Sequence, residues 1–368
     1  MSTKTAVSEE EVENHLIKEI MKTLGESGEE VKKEKKKEPE IVLVAKVKTK
    51  DKGQRMFSEV FGYNPTTRPD FPVTVFKDED WAEEVRIFVP KLTDVELLGY
   101  EPQKEAVEQL VSGLEEGDRV SISGPTGSGK SSMVKYVCQK LRRPVIRVNM
   151  NGDIESSAVF GQLVVESGAT VWKDGPATDA IKYGAVLMVD EWTVMPPEIT
   201  MGFQNPLEHG GFLFLKEKPG SSADKVIEPH EHTRYVFCDN TTGQGDETGA
   251  FAGTNVQNTA TIDRFDMAIH LEYLGVDHEL GVIHSRVPDL DKTVARKMVQ
   301  YASQIRIAYG KTEMGLTMSP RTLINWARKI QQYGSIRNAL TFSFLNKLRD
   351  SDKKLASELY TKVFGNVK

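Results

Sequence analysis

Residues 124–131 read Gly-Pro-Thr-Gly-Ser-Gly-Lys-Ser (GPTGSGKS) and set three glycines, one lysine and a hydroxyl side by side. The stretch lies between DRVSIS (118–123), an apolar alternation that reads as a strand, and SSMVKYVCQKLRR (131–143), whose apolar spacing reads as a helix. Strand, glycine-rich turn and helix are the context that the phosphate-loop pattern G-x-x-x-x-G-K-[ST] requires. Gly124, Gly127 and Gly129 let the backbone fold into a nest whose N–H groups point inward at phosphate oxygens. The N-terminus of the following helix adds positive partial charge. Lys130 reaches the β- and γ-phosphates, and Ser131 offers a hydroxyl to Mg²⁺. The expected phosphate cradle is therefore Gly124, Pro125, Thr126, Gly127, Ser128, Gly129, Lys130, Ser131 and Ser132, and its ligand is a nucleoside triphosphate. The loop alone does not choose ATP over GTP.

The surrounding chain alternates short apolar strands with helices. EPQKEAVEQLVSGLEEG (101–117) predicts a helix ending at Gly117; PVIRVNM (144–150), GAVLMVD (184–190) and TRYVFCD (233–239) predict strands, and PPEITMGFQNPLEHGG (196–211) contains a helix. Continuous apolar strands between helices indicate a parallel sheet covered on both faces. After about residue 275 the strand signals stop. DKTVARKMVQYASQIRIAY (291–309), SPRTLINWARKIQQYG (319–334), SIRNALTFSFLNKL (335–348) and DKKLASELYTKVFG (352–365) all read as helices. The fold class is thus α/β, a phosphate-loop core followed by an all-helical C-terminal domain. The expected divisions are 1–40, 41–80, 81–274 and 275–368.

The N-terminal divisions differ in character. Ser8 and Glu11 form a capping box ahead of Val12, Leu16, Ile17, Ile20, Met21 and Leu24, an amphipathic helix closed by Gly25. Its stripe serves either to pack on its own domain or to dock a partner. ESGEEVKKEKKKEPE (26–40) reads as a solvated linker, its lysines interleaved with glutamates. IVLVAKVKTK (41–50) looks like a strand, and 57–76 is turn-rich, with prolines at 65, 69 and 72.

Hydrolysis needs more than a phosphate cradle. Asp190 ends the apolar strand 185–189, in a position to hold Mg²⁺ through water, and Glu191 follows directly, in a position to polarise an attacking water. Asn240 follows the strand TRYVFCD, and polar residues at the carboxyl ends of parallel strands line the ligand crevice. Arg264, in TIDRFDM, and Arg321, in SPRTLINW, are two further cations; residue chemistry reads each equally as a surface ion pair or as a stabiliser of transition-state charge.

Taken in order, these elements resemble the AAA+ ATPases of the MoxR type, with the closest likeness to the cobaltochelatase ATPase subunits. The likeness rests on RRPVIRVNMNGDIESSAVFGQ (142–162), WKDGPATDAIKYGAVLMVDEW (172–192), FQNPLEHGGFLFL (203–215), DNTTGQGDETGAFAGTNVQNTATIDRF (239–265) and SPRTLINWAR (319–328), and spans roughly residues 57–330. It implies ATP with Mg²⁺ and a homo-oligomeric ring, usually hexameric. It also implies Arg264 as the finger reaching a neighbour's site and Arg321 as the lid arginine. Two hairpin insertions follow from it, QLVVESGATVWKDG (162–175) and GGFLFLKEKPGSSADKVIEPH (210–230), the second turning at Pro219 to Ser222. Family members work with a protein partner bearing a von Willebrand-type metal-binding domain. Trp192 and Asn205 depart from the family pattern and are expected on partner surfaces.

Composition narrows the remaining classes. The 368 residues carry 48 Lys and Arg against 54 Asp and Glu, a net charge of −6 that disfavours a nucleic-acid coat without excluding a local basic patch. The two cysteines, Cys138 and Cys238, sit among apolar residues and read as buried free thiols. No apolar run approaches a membrane span, so the expected setting is cytoplasmic. His230 and His232 lack a second ligand cluster and read as structural.

Overall fold

The computed structural model describes residues 53–91, 93, 102–243 and 257–365. The amphipathic helix expected at 8–24, the linker and the strand at 41–50 lie outside them, as does most of the run GQGDETGAFAGTNV.

In chain order, β1 (Gln54–Met56) pairs antiparallel with β2 (Pro72–Thr74). Helix α1 (Lys104–Glu116) follows, ended by Gly117, which caps it in the left-handed conformation. Then come β3 (Val120–Ser123), α2 (Lys130–Leu141) and β4 (Val145–Asn149). The hairpin β5 (Gly161–Glu166) and β6 (Ala169–Asp174) precedes α3 (Pro176–Tyr183), β7 (Val186–Asp190) and α4 (Pro197–Gln204). A short ribbon of β8 (Leu213–Phe214) and β9 (Val226–Ile227) leads to β10 (Arg234–Asp239) and β11 (Met267–His270).

Five strands form one parallel sheet in the order β11-β3-β10-β7-β4. Successive side chains of a strand point to opposite faces, and the two faces have separate cores. Val186, Met188, Val236 and Cys238 face one cluster with α1 and α2; Leu187, Val189, Tyr235 and Phe237 face another with α3 and α4. Both faces are covered, which is why Val186–Asp190 is buried throughout and reads as an unbroken apolar run. The turn-rich stretch at 57–76 belongs to this packing: Phe57 stacks on Phe61 and Phe71, and all three join the α1/α2 cluster.

Both insertions are hairpins. Ser167 and Gly168 form the turn of the first, both with positive φ, the conformation a two-residue turn needs to match strand twist. The second has strands of two residues each, so its connection runs over 215–225 and is longer than a turn at 219–222 alone. Trp192 is a correction to the sequence reading: it is 1% exposed and packs edge-on against Phe237 and Phe265, so it offers nothing to a partner. Asn205 is exposed. His232 packs edge-on against Phe76 and Trp81, a structural role, and both cysteines are buried and free. Burial pushes the Cys138 thiol up to about 12. No described helix is long and apolar enough to cross a membrane.

The C-terminal helices are α5 (Val276–Arg286), α6 (Lys292–Gly310), α7 (Pro320–Tyr333), α8 (Ile336–Ser343) and α9 (Asp350–Phe364). They enclose a separate core in which Tyr301 meets Trp326 and Tyr360 edge-on and Tyr360 stacks on Phe364. Ser319 caps α7 by accepting from Thr322 N, and Pro320 sits in its first turn, as the SPR sequence predicts.

One ion pair ties this lobe together. The Arg306 guanidinium donates two hydrogen bonds to Glu279, at 2.8 and 3.0 Å, and a third to Met318 O. Glu279 is 2% exposed, and burial raises its carboxyl above the usual range even against Arg306. Removing one partner of a buried pair leaves an uncompensated charge and costs about 3–5 kcal/mol, whereas removing both is far less damaging. Arg306→Met is therefore expected to destabilise the helical lobe by that amount in chemical denaturation. The Arg306→Met/Glu279→Met double variant should recover most of the loss, and a double variant no more stable than the single one would contradict the pairing energetics.

Candidate functional site

The sheet register decides where the polar strand ends fall. Asp239 is paired with Ser123, and Asp190 with both Cys238 and Asn149. The carboxyl ends of β3, β7 and β10 thus stop at one level. The glycine-rich loop leaves β3 there, where the strand order reverses, which is the crevice position of open α/β sheets. A cleft of about 500 Å³ opens at this edge, bounded below by residues 126–132 and above by α5 and α7.

The loop is built tightly into both lobes. A Cβ on Gly124 would meet the Leu271 carbonyl oxygen at 2.3 Å, and one on Gly127 would meet Ser319 Cβ at 2.8 Å. Both glycines have positive φ, at 149° and 77°. The Tyr273 hydroxyl donates to Thr126 O at 3.1 Å and its ring carries Arg306, 4.0 Å from the centroid. The loop is therefore held by the linker to the helical lobe as well as by its own strand.

Lys130 is buried, and its ammonium donates to Gly124 O at 2.7 Å and to Asn240 Oδ1 at 2.9 Å. Burial lowers its pKa, against the opposing pull of the acids around it. Ser131 Oγ donates to Asp190 Oδ2 at 2.8 Å. Asp190 also takes a hydrogen bond from Arg147, in β4. Glu191 is exposed at the cleft wall with a left-handed backbone, φ 57° and ψ 42°. That conformation costs a non-glycine residue roughly 1–2 kcal/mol. It is enforced by the hydrogen bond from Glu191 N to Cys238 O at 2.8 Å, which turns the side chain out of the sheet. Asp239 fixes the neighbouring turn: its carboxylate accepts from Thr193 N and Oγ and from the Asn240 and Thr241 amides.

Of the residues singled out in the sequence, 126–132 of the phosphate loop, Asp190, Glu191, Asn240 and Arg321 meet at this cleft, while Gly124 and Pro125 lie behind its lining. Arg264 does not. It lies outside the cleft, donating two bonds to Glu208 and one to Ala260 O. The structure adds Arg147, Asp239, Arg286 and Arg328 to the lining. A lone cation inside the apolar strand VIRVN was a legible signal for Arg147. Arg286 and Arg328 had none, because arginines on helices ordinarily mark a solvated face. The cleft carries five cations, Lys130, Arg147, Arg286, Arg321 and Arg328, against three carboxylates, Asp190, Glu191 and Asp239. It favours an anion although the whole chain is acidic.

Mg²⁺ takes oxygen ligands and usually binds through one or two protein groups plus phosphates and water. Ser131 Oγ and Asp190 Oδ2, 2.8 Å apart at the cleft floor, fit that donor set. Among the described residues no cluster of three or more His, Cys, Asp or Glu could hold a metal by itself.

Comparison with known proteins gives the family. Residues 119–265 match the AAA domain family of the dynein-related subfamily, and residues 279–361 match the CbbQ/NirQ/NorQ C-terminal family. The aerobic cobaltochelatase subunit CobS of Sinorhizobium sp is 32% identical over 270 residues, 71% of this chain and 80% of that protein. Protein CbbQ of Hydrogenophilus thermoluteolus is 30% identical over 50% of this chain and 64% of its own length. The gas vesicle ATPase GvpN of Haloferax mediterranei is 24% identical over 55% of this chain and 62% of its own length. The chain thus spans a little under two thirds of the last two.

Gly127 gives the sharpest test of the loop. A Cβ there needs both a left-handed alanine and displacement of Ser319. Gly127→Ala should weaken nucleotide binding by about tenfold or more, at roughly 1–2 kcal/mol of strain. Titration with a fluorescent nucleotide would read the change, and an unaltered affinity would show that the loop does not cradle the phosphates.

Proposed function

The chain belongs to the MoxR-type AAA+ ATPases, and from that premise we propose that it is an ATP-hydrolysing ring motor that remodels a protein partner. The observation that carries this reading is the meeting of Lys130, Asp190, Glu191, Asn240 and Arg321 around one cleft between the α/β core and the helical lobe. ATP is the substrate. Lys130 and the loop amides hold its phosphates. Ser131 and Asp190 are the residues that would hold Mg²⁺, which supplies charge neutralisation at the phosphates when bound. Glu191 accepts a proton from the attacking water, and Asn240, already bonded to Lys130 Nζ, orients groups at the γ-phosphate end. Arg321 adds positive charge from α7 that attracts the γ-phosphate, so loss of that phosphate loosens the lobe from the core.

Arg264 supports the ring. It lies outside its own chain's cleft, half-buried against the exposed Glu208, and a neighbouring subunit's site is the target proposed for it. Such an arginine supplied in trans is worth about 10³-fold or more in rate. The hairpins β5–β6 and β8–β9 are the grips proposed for the partner, and Leu163, Val165 and Phe214 on them are exposed apolar side chains. CobS is by name a subunit of a cobaltochelatase, and a partner with a von Willebrand-type metal-binding domain is the corresponding proposal for this chain.

Two variants test the chemistry. Glu191→Gln should retain nucleotide binding and lower phosphate release by about 10²–10⁴-fold; undiminished turnover would remove Glu191 from the mechanism. Arg264→Ala should lose about 10³-fold in turnover. Mixing it with Lys130→Ala subunits should restore part of the activity, since mixed interfaces then pair an intact loop with an intact finger. Absence of any recovery in mixed assemblies would argue against action across an interface.

A further inference from the structure

Among the described residues, Arg147 is the one cation bonded to Asp190, the carboxylate proposed to hold the metal. It is the middle residue of β4, and its neighbours Ile146 and Val148 bury themselves in the core on the other face of the sheet. Its register partner is Met188, in the strand that ends at Asp190. From there the side chain runs along the sheet to the cleft, where the guanidinium bonds Asp190 Oδ2. That oxygen also accepts the Ser131 hydroxyl. The Asp190 side chain is 9% exposed and that of Arg147 37%, so water screens the pair only from the guanidinium side. A divalent ion held by Ser131 and Asp190 must therefore share Asp190 with a positive charge already bonded to it.

Resting on the nucleotide-site reading above, we propose that Arg147 is a built-in competitor of the divalent cation, a positioning residue that sets how strongly nucleotide binding depends on Mg²⁺. While it is bonded to Asp190 it neutralises the carboxylate and weakens the pull on a dication. When the metal takes Asp190, Arg147 is freed at the cleft wall, where its charge faces the phosphates. Metal arrival and the recruitment of this cation are two sides of one exchange. A purely structural tie between β4 and β7 would stabilise the sheet and leave metal dependence untouched.

The test is binding. The affinity of fluorescent ADP is measured across a Mg²⁺ titration for the wild type, Arg147→Gln and Arg147→Lys, with Mn²⁺ binding to the ADP complex followed by electron paramagnetic resonance. Removing a unit charge beside the ion is expected to tighten divalent binding about tenfold in Arg147→Gln. Metal-free ADP should bind more weakly, so the Mg²⁺ enhancement grows. Arg147→Lys keeps the charge and should stay near the wild-type midpoint, which also covers the case in which the glutamine variant does not fold. A Mg²⁺ midpoint unchanged or weakened in Arg147→Gln, or shifted equally in Arg147→Lys, overturns the proposal. If the wild type binds no nucleotide at all, the site reading itself has failed. If it binds with a normal Mg²⁺ enhancement that Arg147→Gln leaves alone, only the role given to Arg147 has failed.

Discussion

The parallel register between β3, β10 and β7 is the constraint on which the site depends. It fixes Asp239 beside Ser123 and Cys238 beside Asp190, so three strands end in one plane and their terminal polar groups share one opening. A slip of one residue would turn every apolar side chain of β7 to the opposite face and carry Asp190 away from Ser131. Two cores, one on each face of the sheet, hold that register, because Val186 and Met188 fit only one and Leu187 and Val189 only the other. Apolar packing far from the phosphates thereby determines distances at the cleft, such as the 2.8 Å between Ser131 Oγ and Asp190 Oδ2.

The same economy of contacts links loop and lid. Tyr273 lies in the linker between β11 and α5, with its hydroxyl on Thr126 O and its ring under Arg306. Arg306 in turn fixes Glu279 of α5 and the Met318 carbonyl, one residue before the cap of α7. Arg321 sits in the first turn of that helix. A shift of the glycine-rich loop can therefore reach Arg321 through two side chains, Tyr273 and Arg306, and the backbone from Met318. This gives the proposed lobe motion a physical route: a rigid helical body moves about a linker whose aromatic side chain reads the loop.

Much of this was legible in the sequence, for definite reasons. GPTGSGKS, Asp190, Glu191 and Asn240 lie next to strong apolar strands, and a strand's end is easy to read when both its faces are buried. The first hairpin was legible because Ser167-Gly168 is a turn sequence between two six-residue strands. Trp192 misled because a departure from the family pattern was expected to lie on a partner surface. The chain turns back through the left-handed Glu191, and that turn drives the indole inward against Phe237. Arg286 and Arg328 escaped because their role depends on which helix faces the cleft, a tertiary fact with no local signature. Arg147 differs: the lone cation stands out inside the apolar strand VIRVN, but the apolar pattern that identifies the strand does not say what that charge reaches.

The ion pair of Arg264 with Glu208 bears on how the proposed finger is held within its own chain. The Glu208 side chain is 55% exposed and that of Arg264 23%, so water reaches the bond from the carboxylate side. Exposed pairs of this kind are worth about 0–1 kcal/mol. An arginine acting on a neighbour's γ-phosphate contributes about 10³-fold or more in rate, which is some 4 kcal/mol of barrier. The gain across an interface therefore exceeds the loss at Glu208 several times over, and release costs the fold almost nothing. Until a neighbour is present, Glu208 and the Ala260 carbonyl keep the guanidinium near the surface and oriented. Contrast the buried Arg306, whose partner is 2% exposed and whose loss would strand a charge. Two arginines in one chain thus occupy opposite ends of the same electrostatic scale. The half-buried Arg264, on an exposed partner, is the one proposed to serve another subunit, and the buried Arg306 holds its own lobe.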